Sequence, residues 1–207
     1  MARVSQEHLD ARRRQILDGA ALCFARNGFH ATSMQDVLKE VGLSAGAVYR
    51  YFSGKGELIR AIVTEVLDDV RSVYEEAGRQ TPPPPPYELI DKVLRDVHGL
   101  RPGLREGGVP VFARLVIQVW TETLRDPELA VIIQDGFANV TAAWVRIVEG
   151  YQRAGMMNAD ADPEAVARVL VAAAQGFLTQ QALFDRVPVE SLESGLRGLM
   201  SMGEVSR

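Results

Sequence analysis

The chain has 207 residues, of which 47% are hydrophobic, enough for one large domain or two small ones with a substantial core. No apolar run approaches the ~20 residues that span a bilayer, and the N-terminus lacks the apolar stretch of a secretory signal, so we expect a cytoplasmic protein without membrane contact. A single cysteine excludes a disulfide within the chain, and the three histidines are too widely spaced for a common metal-binding motif. We therefore expect neither a metal nor a cofactor.

The net charge of −4 is unevenly distributed along the chain. Residues 1–56 carry eight Lys or Arg and five Asp or Glu, a balance of +3, whereas the remaining residues carry 15 basic and 22 acidic groups, a balance of −7. The basic N-terminal quarter is suited to face nucleic-acid phosphates, and the acidic remainder of the chain is suited to stay away from them. The distribution therefore favours a nucleic-acid-binding protein despite the negative total.

The N-terminal quarter is predicted to begin with two helices. The first covers about residues 9–26, because apolar side chains recur there at helical spacing, and Gly28 ends it. Its apolar face holds Ile16, Ala20, Cys23 and Phe24, so we expect the cysteine to be a buried apolar residue rather than a redox switch. Either Thr32 or Ser33 caps the second helix, and Asp36 is placed for a capping box.

Residues 32–55 contain two short helices joined by a tight turn at Gly42, with Ser44 as the N-cap of the second. This layout is typical of a helix-turn-helix motif, whose second helix enters the DNA major groove. That helix begins with small residues and continues with the sequence Tyr-Arg-Tyr. An ordinary helical hairpin is the alternative. It explains the valines between the two helices, but it explains less well the small residues and the Tyr-Arg-Tyr sequence on the outer face. The GxSxG pattern at residues 42–46 follows no predicted strand, so we interpret it as a coincidence.

Helices are also predicted for the rest of the chain. They cover about residues 53–76, 87–98, 111–125, 127–154, 163–185 and 189–202, with a Gly- and Pro-rich loop at residues 100–110. No sustained alternation signals a strand, so the sequence predicts an all-α protein. Five consecutive prolines at residues 82–86 cannot be helical and favour a stiff linker; a docking site for a proline-binding partner is the alternative. Asp126 and Asp162 each precede a proline, as an N-cap precedes an N1 proline.

Residues 9–58 resemble the DNA-binding domain of the TetR family of transcriptional repressors. The resemblance is carried by Phe24 to Gly28, Thr32-Ser33-Met34, Asp36-Val37, Gly42-Leu43-Ser44, Gly46, Val48-Tyr49, Tyr51-Phe52, Lys55 and Leu58. More loosely, residues 120–129 and 160–178 resemble the C-terminal regions of regulators of the betaine-responsive repressor type. The resemblance implies a three-helix DNA-binding domain at residues 1–56 and a larger helical ligand-binding and dimerisation domain at residues 57–207.

The family resemblance also implies a set of DNA contacts. Residues expected to touch phosphates or face base edges are Thr32, Ser33, Met34, Ser44, Ala45, Gly46, Ala47, Tyr49, Arg50, Tyr51 and Lys55. Leu38 stands where the family usually has alanine, which puts the local helix packing in question. Gly56 replaces the acidic residue that usually follows the lysine, which puts a capping interaction in question.

In this family the C-terminal part holds a ligand pocket and a dimer interface. The last two predicted helices have broad apolar faces that would form a four-helix bundle in a homodimer; the alternative is that they serve only the core of one chain. The expected interface residues are Leu170, Ala174, Leu178, Leu192, Leu196, Leu199 and Met200. The expected pocket residues are Phe112, Val116, Trp120, Phe137, Asn139, Trp144, Gln175 and Phe177, a set that suits a hydrophobic or cationic small molecule.

The sequence thus predicts a DNA-binding transcriptional regulator and not an enzyme. We expect a repressor that binds a palindromic operator as a homodimer and is released by a small-molecule effector, with the helix at residues 53–76 linking pocket and DNA. An activator or a ligand-independent regulator of the same fold is the main alternative. An enzyme is disfavoured because the sequence holds no acid/base or nucleophilic cluster. A protein-interaction module that docks through the proline run is a further alternative.

Overall fold

The structure is a computed structural model that describes residues 6–100, 105–106, 109–110, 112–184 and 187–201. These residues contain nine α-helices and one short antiparallel ladder. The helices are α1 Gln6–Asn27, α2 Met34–Val41, α3 Ala45–Tyr49, α4 Lys55–Gly78, α5 Pro86–Leu100, α6 Phe112–Thr123, α7 Pro127–Arg153, α8 Pro163–Phe184 and α9 Val189–Met200. The ladder pairs β1 Arg105–Glu106 with β2 Val109–Pro110.

The predicted all-α class is confirmed, and the predicted helices agree closely with the observed ones. Two details differ. The ladder of β1 and β2 was not predicted, because strands of two residues are too short to show an alternating pattern. The prediction that none of the five prolines is helical is wrong for Pro86, which is the first residue of α5, where its missing N–H leaves no hydrogen bond unmade. The predicted helix limits at Val111, Asp185 and Met202 lie outside the described residues.

The end of α1 and both ends of α2 follow from the local sequence. Gly28 and Gly42 adopt φ angles of 84° and 66°, in the left-handed region that glycine enters without steric cost. Ser33 caps α2 in the predicted capping box. Its hydroxyl accepts a hydrogen bond from the Asp36 N–H (3.2 Å), while the Asp36 carboxylate accepts one from the Ser33 N–H (2.8 Å).

The contacts divide the chain into two compact units. The first unit combines Met1–Val66 with Arg101–Gln134, and the second combines Leu67–Leu100 with Asp135–Arg207, as far as these ranges are described. Helices α4 and α7 contribute residues to both units. The predicted domain boundary at residue 56 divides the chain differently and stays a prediction, because a compact unit and a functional domain need not coincide.

The core of the first unit is built around α1, against which both α2 and α6 pack. The fully buried apolar side chains of its first four helices are Ile16, Leu17, Ala20, Ala21, Phe24, Val37, Val48, Leu58 and Ile59. Phe24 also contacts the ring of Phe29, with the ring centroids 5.3 Å apart. Because Val48 is anchored in this core, the opposite side of α3 is directed outwards.

The core of the second unit contains the proline linker. Tyr74 of α4 packs on Trp144 of α7, with the ring centroids 4.7 Å apart. Pro83 is buried, and the Tyr151 hydroxyl donates a hydrogen bond to the Pro84 carbonyl. Helix α9 packs against α5. A linker that is packed and hydrogen-bonded in this way fits the stiff-connector interpretation better than a docking site.

Candidate nucleic-acid interface

The turn between α2 and α3 is short and closed by hydrogen bonds. The Gly42 N–H donates to the Leu38 carbonyl (3.1 Å), and the Ser44 hydroxyl accepts from the Ala47 N–H (3.3 Å) at the start of α3. Ser44 is therefore the predicted N-cap of this helix. Two short helices joined by such a turn have the geometry of a helix-turn-helix.

Helix α3 has one buried and one exposed face. Val48 is fully buried, whereas Ala45, Gly46 and Arg50 are exposed and Tyr49 keeps 49% of its surface accessible. No atom lies within 4 Å of the place where a side chain at Gly46 would begin. The outer face therefore offers an approachable backbone, a phenol hydroxyl and a guanidinium group, which are donors for phosphate oxygens and base edges. Ala47 and Tyr51 are half-buried beside it.

Ser33 and Met34 lie at the start of α2. The exposed Ser33 hydroxyl donates to the Asp36 carboxylate (2.6 Å), so this side chain already serves the helix cap. The two hydrogen bonds from Ser33, first the one from its hydroxyl and then the one from its N–H, lower the pKa of the Asp36 carboxyl group below its usual value. Met34 is half-buried.

The side chains of Thr32 and Lys55, which were expected to contact DNA phosphates, make hydrogen bonds within the protein. Thr32 is only 1% exposed, and its hydroxyl donates to the Gly28 carbonyl (2.8 Å), which argues against the predicted phosphate contact through this hydroxyl. The Lys55 ammonium donates to the Phe29 carbonyl (2.8 Å) and lies 4.8 Å from the centroid of the Phe29 ring. Both side chains thus fix the loop between α1 and α2, and this loop in turn positions α2.

The start of α4 has a capping acid although Gly56 replaces the one that the family pattern places there. Glu57, one position later, accepts hydrogen bonds from the Ser53 N–H (2.7 Å) and from the Ser53 hydroxyl (2.8 Å). The N–H bond is the main cause of a lowered pKa for the Glu57 carboxyl group. The capping interaction that the sequence put in question is therefore present, one residue further along the chain.

The predicted pocket residues differ widely in exposure. In the first unit, Phe112 is buried while Val116 and Trp120 are half-buried. In the second unit, Trp144 and Phe177 are buried, Phe137 and Gln175 are half-buried, and Asn139 is exposed. Burial of these aromatic rings fits a packed core as well as a pocket lining, so the pocket set stays a prediction.

A cleft of about 550 Å³ lies in the second unit, between the end of α4, the proline linker and the start of α5. Its lining residues are Ser72, Val73, Glu76, Ala77, Gln80, Pro84, Glu88, Leu89 and Lys92. Its volume is within the range of small-molecule sites, and its lining is mainly apolar with a few polar groups. None of the predicted pocket residues lines this cleft.

The expected dimer residues separate into two groups. Leu170 and Leu196 are buried within the single chain, which fits a role in the core of the protomer, and their place in an interface stays a prediction. Leu199 and Met200 are exposed, and Ala174, Leu178 and Leu192 are half-buried. Sequence reasoning missed two further exposed apolar side chains of α8, Val169 and Phe184, because an apolar residue gives no local sign of which way it faces.

Sequence reasoning also missed a polar contact between the α1–α2 loop and α6. His30 Nε2 lies 3.0 Å from Glu122 Oε2, and the Glu122 side chain is only 8% exposed. Arg60 of α4 lies 2.9 Å from Asp126, the residue that precedes α7. Asp126 was expected as a helix cap, but no sequence pattern could pair it with Arg60 or pair His30 with Glu122.

Cys23 is buried, as predicted, and burial raises the pKa of its thiol to about 11. The thiol is therefore uncharged near neutral pH and unreactive. The described residues hold no group of three or more His, Cys, Asp and Glu side chains that is arranged to bind a metal ion. Among the described helices, none has the length and apolarity to cross a membrane.

The helix-turn-helix, with α3 anchored by Val48 and exposed on its other side, places the protein among DNA-binding regulators. The family model of the tetR family of bacterial regulatory proteins matches residues 16–62, and the C-terminal model of BetI-type transcriptional repressors matches residues 104–199. The chain belongs to the TetR family and is a DNA-binding transcriptional regulator.

Relatives and solved structures agree with this assignment. The regulator UidR of Escherichia coli K12 is 25% identical over 191 residues, which are 91% of this chain and 90% of UidR. A transcriptional repressor of Mycobacterium tuberculosis is 38% identical over 78 residues, which are 38% of this chain and 42% of that repressor's length. The structure of Salmonella enterica GusR matches with a TM-score of 0.70 and 26% identity, over 97% of this chain and all of that one. The match thus spans well under two thirds of the M. tuberculosis relative's length.

Proposed function

We propose that the protein is a repressor that binds a palindromic operator as a homodimer and releases it when a small molecule binds. The observation that carries the proposal is the exposed face of α3, where Tyr49, Arg50 and the backbone at Gly46 are accessible while Val48 is buried. The relative in M. tuberculosis is named a repressor, which supports the direction of the effect.

Dimerisation is supported by exposed apolar side chains on α8 and α9. Val169, Leu183, Phe184, Leu199 and Met200 are all at least 44% exposed, although large apolar side chains usually avoid water. A second copy that covers this surface would remove it from solvent. A two-fold dimer would present two α3 helices to half-sites that are one DNA turn, about 34–36 Å, or a multiple of it apart.

Effector release is supported by the path of α4. This helix runs without interruption from the first unit, where Leu58 and Ile62 are buried, into the second unit, where Tyr74 and Ala77 are buried. A ligand that shifts the second half of α4 therefore has a continuous helix through which to act on DNA affinity. The cleft between the end of α4 and the start of α5 is a second candidate site, in addition to the predicted aromatic set.

Selection of genomic DNA fragments by the purified protein, followed by mobility shifts at two salt concentrations, tests DNA recognition. We expect a palindromic site that is bound by a dimer. Tyr49→Ala should weaken binding at least tenfold, or by about 1.4 kcal/mol. Tyr49→Phe is the matched control, because it keeps the ring and removes only the hydroxyl donor. Weak, steeply salt-dependent binding without any preferred site would contradict sequence-specific recognition. Reporter transcription with and without the protein then separates a repressor from an activator.

Sedimentation at several protein concentrations tests the dimer. Phe184→Asp and Leu199→Asp place a charge on the exposed apolar surface of α8 and α9, so they should shift the protein to monomers and weaken operator binding. Leu124→Asp is the matched control, because Leu124 is also an exposed leucine but lies between α6 and α7. A wild-type protein that sediments as a monomer at all concentrations, or variants that remain dimers, would rule out this interface.

A further inference from the structure

The loop that leads into the helix-turn-helix is held from outside the three N-terminal helices. Thr32 and Lys55 fix this loop from within, through the Gly28 and Phe29 carbonyls. Gln118 of α6 also approaches it: a side chain at Gly28 would begin 3.4 Å from the side-chain amide oxygen of Gln118. Gln118 and Glu122 are four residues apart and therefore lie on the same face of α6. That face is directed at the loop.

His30 and Glu122 form the first of two polar contacts at this place. His30 Nε2 lies 3.0 Å from Glu122 Oε2, and the histidine side chain is 65% exposed while the carboxylate is nearly buried. An Arg125 guanidinium nitrogen lies 3.4 Å from the same histidine nitrogen and adds positive charge beside the carboxylate. Since a buried carboxylate is stable only when it is paired, the position of His30 is coupled to that of α6.

Arg60 and Asp126 form the second contact. Arg60 Nη1 lies 2.9 Å from Asp126 Oδ2, while Asp126 Oδ1 accepts the N–H groups of Glu128 and Leu129 (3.0 Å each) at the start of α7. One carboxylate thus caps α7 and holds α4. These helix-capping bonds fix the carboxylate, so its contact with Arg60 has a defined geometry.

We propose that these four residues, His30, Arg60, Glu122 and Asp126, form a polar clamp through which the corner of α6 and α7 positions the helix-turn-helix for operator binding. The inference rests on the proposed operator binding. The clamp places no group on DNA: Glu122 and Asp126 act through His30 and Arg60 on the α1–α2 loop and on α4, between which α2 and α3 are held. The part of the protein that determines operator affinity accordingly includes α6 and the start of α7. These elements lie far along the chain from residue 56 but belong to the same compact unit.

Operator affinity of point variants tests the clamp, with the DNA site that the wild-type protein selects as the probe. Glu122→Gln and Asp126→Asn keep side-chain size, and asparagine still caps a helix, so mainly the negative charge is lost. We expect each variant to bind the operator about 5–20-fold more weakly, within the usual range of coupling between sites. Glu128→Gln is the matched control: Glu128 also lies near Arg60 (3.3 Å) but is exposed, and we expect less than a twofold change.

The salt dependence of binding separates positioning from simple loss of folded protein. A helix-turn-helix that is held wrongly makes fewer phosphate contacts at once, so the slope of log affinity against log salt should become shallower. A variant that is merely less folded would keep the wild-type slope and lose only active fraction. Arg60→Lys should restore most of the affinity that Arg60→Gln loses, since it keeps the charge next to Asp126.

A double-mutant cycle on His30 and Glu122 completes the test. We expect His30→Gln with Glu122→Gln to lose clearly less affinity than the product of the two single losses, because either substitution already removes the contact. Unchanged operator affinity in Glu122→Gln and Asp126→Asn, with a wild-type operator in hand, would overturn the clamp. Failure of the wild-type protein to select any operator is a different result, because it would overturn the proposed function itself.

Discussion

The α1–α2–α3 region and the α8–α9 region are both helical and rich in apolar residues, yet they use these residues in opposite ways. In α1–α3 the large apolar side chains are buried, and the exposed residues cap helices or face outwards from α3. In α8 and α9 several of the largest apolar side chains are exposed, and α9 begins at Pro188 without a side-chain cap.

This difference shows which parts of the protein are complete within one chain. The N-terminal helices α2 and α3 have capped ends and α1–α3 bury their apolar face locally, so their structure is explained by their own sequence and by the corner of α6 and α7. The exposed apolar surface of α8 and α9 would be removed from solvent by a covering partner, and a second copy of the chain is the occupant that we propose. The following substitutions test the comparison, in order of decreasing expected effect.

Two phenylalanines provide the largest contrast. Phe24 is 0% exposed and Phe184 is 70% exposed. We expect Phe24→Ala to lower the free energy of unfolding by roughly 3–5 kcal/mol, because it removes buried surface and leaves a cavity. Phe184→Ala should lower it by at most about 0.5 kcal/mol in the monomer. Urea denaturation at several protein concentrations measures both values.

The concentration dependence adds a check on the dimer. If a second copy buries Phe184, the loss in Phe184→Ala grows at protein concentrations where the wild-type dimer is populated. The loss in Phe24→Ala should be similar at every concentration. Equal losses in the two variants at low concentration would contradict the contrast between the two regions.

Two glycines of the helix-turn-helix are expected to respond with opposite signs. Gly42 has a φ of 66°, so Gly42→Ala should cost about 1–2 kcal/mol, although no atom lies within 4 Å of the added carbon. Gly46 is helical and equally uncrowded, so Gly46→Ala should stabilise the protein by about 0.5–1 kcal/mol. Thermal unfolding measures both changes.

The same pair separates stability from DNA binding. A methyl group at Gly46 keeps the backbone of α3 from approaching DNA closely, so Gly46→Ala should bind the operator more weakly even though it is more stable. A Gly46→Ala variant that binds as tightly as the wild-type protein would show that this backbone does not approach DNA.

The capping box is expected to have a smaller effect. Ser33→Ala removes the hydroxyl that accepts from the Asp36 N–H and donates to the Asp36 carboxylate, and it should cost about 1 kcal/mol. Ser201→Ala is a control at the end of α9, where the hydroxyl only donates to the Gly198 carbonyl (2.8 Å), and we expect a smaller loss. Urea denaturation measures the free energy of unfolding of both variants. Equal losses would mean that the capping box stabilises the protein no more than a single side-chain hydrogen bond does.

Features that depend on neighbours in the sequence could be predicted from the sequence. The capping box at Ser33, the turn at Gly42 and the N-cap at Asp126 each follow from a local pattern, and the structure contains all three. The helical character of the chain follows in the same way from the spacing of its apolar residues. These signals also carried the resemblance to the TetR family, because the helix-turn-helix is itself a local motif.

Features that depend on the folded arrangement could not be predicted. Thr32 lies beside Ser33 in the motif, but only the fold shows that one hydroxyl is buried and the other exposed. Val169 and Leu170 are adjacent apolar residues of α8, one exposed and one buried, and the spacing of apolar residues did not show that Val169 is the exposed one. The contact between His30 and Glu122 joins residues that are far apart along the chain, so no local pattern announces it.

Acid titration of the capping box is expected to give the smallest effect. The Ser33 hydroxyl and N–H lower the pKa of Asp36 in the folded state, so near its usual value of about 3.9 the unfolded chain binds more protons. The stabilisation is therefore complete above that usual value and is lost as the pH falls through the lower folded value. Asp36→Asn removes this titration, so its free energy of unfolding should fall less steeply between about pH 5 and pH 2 than that of the wild-type protein. Parallel curves for the wild-type protein and Asp36→Asn would mean that the box does not stabilise the ionised carboxylate.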